Sequence, residues 1–383
     1  MADRDSDPVA RIVPGFAAVD AGDWDRLAGD GDPFLSHRFL ALLESSGSIG
    51  EGSGWTPIPL MVEGGGAVGG RAIAAAPAFL KGHSQGEYVF DHGWADAWAR
   101  AGHAYYPKLQ IAVPFTPVPG RRLLGSHPEA LLGALRAVTA QFELSSAHVT
   151  FCTPEEAALA ETHGWLVRHG LQFHWFNRDY ASLDDFLGRL SSRKRKVIRK
   201  ERAAAVAELE ILTLRGAEIL PVHWAAMWHF YQDTGQRKWG QPYLTRAFFE
   251  QVGAVMGEEC LMFLALRDGR PIAGALNFVG GDTLYGRYWG ASEEVDFLHF
   301  ELSYYRAIEW AIAHGLKTVQ AGAQGEHKLA RGYEPVRTYS VHHLPDPSFR
   351  RAVSDFLVRE REGVAAELAW ARAALPYRSD GSA

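Results

Sequence analysis

The sequence predicts an α+β protein of two tandem units, each a mixed, mostly antiparallel sheet flanked by helices. Three observations carry this. The chain has 383 residues, more than one hydrophobic core ordinarily serves, so two domains are expected. A pattern in residues 33–40 returns in residues 242–249, and the segments after the two copies match in kind and order. The second half runs helix, hairpin, strand, helix, strand, an order that builds a mixed sheet with helices packed on it.

Each element can be justified from its residues. Ser36 in the first copy and Thr245 in the second stand where a helix begins, able to accept a hydrogen bond from a free first-turn amide. Phe39-Leu40 and Phe248-Phe249 come next at the spacing of a buried helix face. Residues 59–62 with 71–76 make one hairpin, and 261–266 with 271–276 the other. The second turns on Asp268-Gly269, a pair suited to a two-residue loop. A third strand covers 283–289. A helix over 297–314 buries Leu298, Leu302, Tyr305, Ile308 and Ile312 as one stripe and stops at Gly315. A strand over 317–320 then leads into a polar, glycine-flanked loop at 322–328. These elements give a first domain at 11–174, a second at 175–345, and a C-terminal helix and tail at 346–383.

Composition narrows the class. Hydrophobic residues are 47% and charged residues 22%, which excludes a disordered chain. The net charge of −6 supplies no general pull toward nucleic acid, so any such contact must come from a local patch. Two cysteines, Cys152 and Cys260, exclude a disulfide framework and offer no metal-ligand spacing. The N-terminus is acidic without an apolar signal region, and no apolar run approaches a membrane span. The expectation is a cytoplasmic protein.

Longer motifs resemble a known family. Residues 79–91, 105–110 and 114–117 in the first half, with 285–290, 298–302 and 322–328 in the second, are similar to the FemAB-like peptidoglycan biosynthesis/recognition proteins. The doubled plan resembles tandem GNAT-like (acyl-CoA N-acyltransferase) domains. The resemblance implies an acyltransferase that moves an acyl or aminoacyl group onto an amine, in cell-wall peptide metabolism. It implies acyl-CoA or aminoacyl-tRNA as the donor substrate, a small-molecule or peptide amine as the acceptor, and no resident metal. Two other readings stand beside it: an acyl-CoA-dependent N-acetyltransferase on a small molecule or peptide, and a non-catalytic protein that binds cell-wall peptide or an acidic ligand. Some Fem enzymes carry a long coiled-coil insertion in the second domain, and no sustained heptad run occurs here.

Acyl transfer to an amine needs a base for the ammonium proton and a donor for the tetrahedral oxyanion. The densest supply is the loop at 322–328, with Glu326 or His327 as base and Lys328 or Gln324 as donor. The competing reading is a structural ion-pair network at a strand end. His299 lies near a helix start if Asp296 caps it, where the dipole favours a neutral imidazole. Glu301, a further catalytic candidate, lies two residues on and about 200° round the helix, so the two face one point only if the helix starts later. Together His299, Glu301, Glu326 and His327 match no known metal-ligand spacing. Arg287, Tyr288 and Trp289 are candidates for substrate contact. So are Lys81, His83, Glu87 and Lys108 in the first unit, where Ser84 and Asp91 add to the same polar cluster. Ser84 and His83 are no nucleophile pair, because adjacent strand residues point to opposite faces.

A basic run over 189–202 is the clearest anion signal. Ser191 or Ser192 can begin a helix whose first turns hold Arg193, Arg195, Lys196 and Arg199. Cations at that end oppose the helix dipole, which costs stability unless an anion is bound. A phosphate-bearing donor, tRNA among the candidates, would supply that anion, whereas a solvated charged face is the competing reading. GNAT enzymes hold the CoA pyrophosphate on a glycine-rich loop opening a helix. Residues 292–296 put three acids there instead. Arg122, in a stretch that runs to His127 ahead of Pro128, matches half the pattern and is a further anion candidate.

Overall fold

The structure is a computed structural model that describes residues 8–64, 70–238, 242–322 and 325–378, with backbone alone at 234–238 and 326. Two units emerge: Met1–Gly170 with Arg337–Ala365, and Leu171–Val336 with Ala366–Ala383. Residues 337–345, expected in the second domain, group with the first, and the C-terminal helix contributes to both units. A returning strand of this kind has an ordinary local pattern, so nothing in its sequence reveals which sheet it joins.

In chain order the first unit holds β1 (Val9–Ile12), α1 (Ala21–Ala28), α2 (His37–Ser45), β2 (Trp55–Pro57), β3 (Leu60–Glu63), β4 (Ala72–Ala76), β5 (Ala78–Lys81), α3 (His92–Arg100), β6 (Lys108–Ile111), β7 (Leu124–Gly125), α4 (Pro128–Gln141), β8 (Ala147–Cys152) and α5 (Pro154–Thr162). Strand β9 (Leu166–Phe176) carries the chain into the second unit. That unit holds α6 (Leu183–Arg189), α7 (Ser192–Ala205), β10 (Glu210–Arg215), α8 (Pro221–Lys238), α9 (Arg246–Met256), β11 (Cys260–Arg267), β12 (Arg270–Gly280), β13 (Thr283–Ala291), α10 (Leu298–Phe300), α11 (Arg306–Ala313) and β14 (Thr318–Gln320). Strand β15 (Glu334–His343) returns to the first unit, and α12 (Pro347–Ala373) comes last.

Both units are mixed and mostly antiparallel, as expected. In the first, β1, β3, β4 and β7 form one antiparallel sheet. There β2, β5, β6, β8 and the end of β15 pair in that order, parallel only between β6 and β8. In the second, β10, β11, β12, β13, β14 and the end of β9 pair in order, parallel only between β13 and β14. The repeat is visible in its caps: Ser36 accepts from the Phe39 amide and Thr245 from the Phe248 amide. Asp268 and Gly269 both adopt left-handed backbone (φ 52° and 74°), the conformation of a tight hairpin turn. Among the described residues no helix is long and apolar enough to cross a membrane.

Helix α8 lies so close to β13 that a side chain at position 290 has no room. A Cβ on Gly290 would stand 2.1 Å from the Phe230 carbonyl oxygen, and a backbone atom cannot swing aside. Gly290→Ala is therefore expected to cost about 1–3 kcal/mol, the usual range for overpacking. Urea unfolding of the two proteins checks this; equal midpoints would contradict the packing described.

Candidate functional site

The second unit's sheet opens at one point. Strands β13 and β14 pair only from Thr283 to Tyr285 against Thr318 to Gln320, after which β14 ends and β13 continues to Ala291. A bulge in β13 shifts the register along the same stretch: Leu276 and Asn277 of β12 face Tyr288 and Gly286, which leaves Arg287 as the extra residue. The gap leaves a cavity of about 140 Å³, whose lining includes Arg287, Tyr288, Trp289, His299, Tyr304 and Gly322.

The far wall is the helix predicted over 297–314, and it is not a regular helix. Phe297 sits in the left-handed region (φ 62°), the helix starts at Leu298 rather than after Asp296, and Glu301–Tyr305 form a π-turn. Of the predicted stripe, Leu298, Leu302, Tyr305 and Ile308 are buried and Ile312 is half-buried. The π-turn inserts an extra residue and rephases the helix beyond it. Tyr304 thereby joins the buried side, and its hydroxyl lies 2.8 Å from His327 Nε2. Burial pushes the Tyr304 phenol up to about 12, so it remains a hydrogen-bond donor at neutral pH. His299 packs against Trp289 at a tilt and Tyr304 edge-on, with ring centroids 5.1 and 5.4 Å away.

After β14 a 3-10 helix, Glu326–Arg331, sets His327 and Lys328 against two residues that line the cavity, Tyr304 and Gly322. Lys328 is 1% exposed, and its Nζ donates to the Gly322 carbonyl oxygen at 2.7 Å. Burial alone lowers its pKa to about 7, and no carboxylate of the described residues pairs with it. His327 is exposed on the same short helix. Gln324 lies outside the described residues, as does the side chain of Glu326. Sequence reasoning missed His174, which stands opposite Gln320 on β9 with Nε2 3.2 Å from Gln172 Oε1. Burial, then the Lys328 ammonium, lower that imidazole to about 3 and keep it neutral. Its signal was present: Gln172 and His174 alternate with the buried Phe173 and Trp175.

The remaining candidates scatter. Glu301 points away from the cavity and is 1% exposed. Arg202 grips it through two bonds of 2.9 Å and Arg306 through a third of 2.9 Å, so it anchors helices and is no free base. Arg122, 1% exposed, donates to the carbonyl oxygens of Thr150, Arg121 and Val118, which leaves its guanidinium committed to the core of the first unit. Helix α7 presents Arg193, Lys196, Arg199 and Lys200 to solvent, with Arg195 half-buried. Only Arg199 of these finds an acid, Asp184, among the described residues. No acidic residue occupies its first turn, and the Ser191 amide donates to the Pro376 carbonyl oxygen.

In the first unit Lys81, Glu87, Lys108 and Asp91 are brought together, but inside the protein. All four are at most 3% exposed. Lys108 Nζ donates to Glu87 Oε1 and Asp91 Oδ2 at 2.5 Å and to Ser84 Oγ at 2.9 Å. Lys81 Nζ lies 3.3 Å from Glu87 Oε2, 3.2 Å from His83 Nδ1 and 3.7 Å from the centre of the Trp55 ring. Burial works against the Lys108 ammonium, yet Glu87 and Asp91 hold its pKa above the usual value. Burial lowers Lys81 to about 7, with Glu87 pulling the other way. The folded protein thus sheds a proton from Lys81 that the unfolded chain keeps until about pH 10.4. Stability contributed here must rise as pH climbs from about 7 to 10, by up to about 1.4 kcal/mol per pH unit. Lys328, lowered to the same value, adds a like slope, so chemical denaturation across that window should show a slope in Lys81→Met smaller than the parent's by about 1.4 kcal/mol per pH unit; parallel profiles would contradict the assignment.

Known proteins share this architecture. No curated protein matches the chain. The solved structure of FemX superposes with a TM-score of 0.54 at 12% identity, covering 88% of this chain and 98% of its own. That of L-PGS from Bacillus licheniformis gives 0.51 at 10% identity, with 86% and 98% covered. A tandem GNAT protein from the clavulanic acid biosynthesis pathway gives 0.46 at 13% identity, with 89% and 99% covered. At such identities the likeness is one of fold, shared with FemX and L-PGS over most of both chains. The family model described as peptidoglycan biosynthesis/recognition matches residues 15–379, and the chain belongs to the FemAB-like family.

Proposed function

We propose that the chain is an acyltransferase that moves an acyl or aminoacyl group onto an amine acceptor in cell-wall peptide metabolism. The observation that carries this reading is Lys328, a buried amine with a pKa near 7 whose Nζ donates to Gly322, a residue that lines the β13–β14 gap. At neutral pH about half of such a population is neutral and able to take a proton. The acceptor ammonium gives one proton to Lys328 Nζ, and the freed amine attacks the acyl carbon. The tetrahedral oxyanion is met by Tyr304 or His327, within the same cluster. As the intermediate collapses, the bond to the donor's oxygen or sulfur breaks. The second proton of the attacking nitrogen leaves with that atom, and Lys328 returns its proton to water.

The donor is proposed to be phosphate-bearing and to lie along α7, where Arg193, Arg195 and Lys196 lack acidic partners among the described residues. An aminoacyl-tRNA fits this better than a CoA thioester. Arg122 is committed to carbonyl oxygens, and Glu293, at the place where a pyrophosphate loop would lie, pairs with Arg267 and Arg270. A cytoplasmic setting belongs to the same reading. Among the described residues no group of His, Cys, Asp and Glu offers a metal site.

Two variants separate this from a binding protein. Lys328→Met should lower the rate of transfer from aminoacyl-tRNA to a peptidoglycan-precursor peptide by about 10²–10⁴-fold, leaving donor affinity within about twofold. An unchanged rate would remove Lys328 from the chemistry. Changing Arg193, Arg195 and Lys196 to Gln should weaken aminoacyl-tRNA binding and reduce its salt slope by about one per cation removed. Binding that keeps its salt dependence would move the donor elsewhere.

A further inference from the structure

We infer that Arg331 is a positioning residue for the proposed reaction: its guanidinium fixes the peptide leading into Lys328 and ties it to helix α7. This rests on the proposed role of Lys328 as base and adds to it the device that holds that amine in place.

Arg331 is the last residue of the 3-10 helix that begins at Glu326. In such a helix residues three apart eclipse, so Arg331 stands directly over Lys328. Its Nη1 donates at 2.8 Å to the carbonyl oxygen of His327, the acceptor on the very peptide that joins His327 to Lys328. Its Nη2 donates at 2.9 Å to Glu201 Oε2 on α7, and Glu201 also accepts from the Tyr305 hydroxyl. Its plane lies over Phe300, with Cζ 3.4 Å from the ring centre. The two side chains of the ion pair are only 7% and 13% exposed.

These contacts make three demands at once: two donors at fixed angles, a flat cation against an aromatic face, and a permanent charge. Arginine meets all three, and lysine meets only the last. The partners come from four places: the 3-10 helix, α7, the end of α10 at Phe300, and the end of the π-turn at Tyr305. The helix proposed to receive the donor and the amine proposed to take the proton are therefore joined through one side chain. Loosening it admits water to Lys328, and a hydrated lysine returns toward its ordinary titration.

Competitive labelling of the full chain tests this without knowledge of the substrate. Trace acetic anhydride is applied from about pH 5 to about pH 11, and the Lys328 peptide is quantified by mass spectrometry against exposed lysines. In the parent the reactivity of Lys328 should be half-maximal near pH 7. In Arg331→Lys and in Glu201→Gln, each with its thermal melt recorded, the midpoint should move upward by about one pH unit or more, toward the ordinary lysine value of about 10.4. Midpoints that stay at the parent value in both variants overturn the positioning role while leaving Lys328 intact as the proposed base. A parent midpoint at the ordinary value overturns the reading of Lys328 and this inference together. Loss of the folded state in both variants makes Arg331 a structural residue and likewise overturns it.

Discussion

A parallel strand pairing that stops after three residues sets the terms for the second unit. Had β14 run on beside β13, its backbone would have closed the sheet and left no room for a ligand. Because it stops, the amides and carbonyls beyond Tyr285 face a gap, and the next elements, the 3-10 helix and the π-turn, are drawn in to cover it. Such a site exposes Lys328 to desolvation with no acid among the described residues to compensate.

The three buried lysines show how much that last point matters. Lys108 touches two carboxylates, and its charge is held above the usual pKa. Lys81 shares one carboxylate and falls to about 7. Lys328 has a carbonyl oxygen and no described carboxylate, and also falls to about 7. Burial pushes all three the same way, and the number and placement of acids decides what survives. The first unit uses its lysines as internal ties. In the second a near-neutral amine bonds to a residue that lines a cavity. The basic run divides similarly, since Arg202 turns inward to Glu301 while Arg193 and Lys196 face water without partners among the described residues.

Much of the fold was legible in the sequence because it is written in local rules. Ser36 and Thr245 cap the repeated helices, Asp268-Gly269 turns the hairpin, and the stripe from Leu298 to Ile308 is buried. The exchange of β15 was not legible, since strand partners are a long-range property. At the site, residues 322–328 stood out by polar density, but their geometry did not. A π-turn changes the helical phase without a compositional mark, so periodicity could place Tyr305 in the core yet give no reason to single out Tyr304. Arg122 and the cluster of Lys81, Glu87 and Lys108 carry the residue types of a binding surface. Only the path of the backbone shows that they turn inward.

The most direct measurement is a crystal structure of the full chain with a non-hydrolysable 3′-amide analogue of an aminoacyl-tRNA end. The expected result is an aminoacyl group in the gap between β13 and β14, its carbonyl carbon beside Tyr304. Lys328 Nζ should then stand within about 3 Å of the position an attacking amine must occupy. An analogue bound elsewhere, with the gap empty and Lys328 still turned to Gly322, would contradict the proposed chemistry.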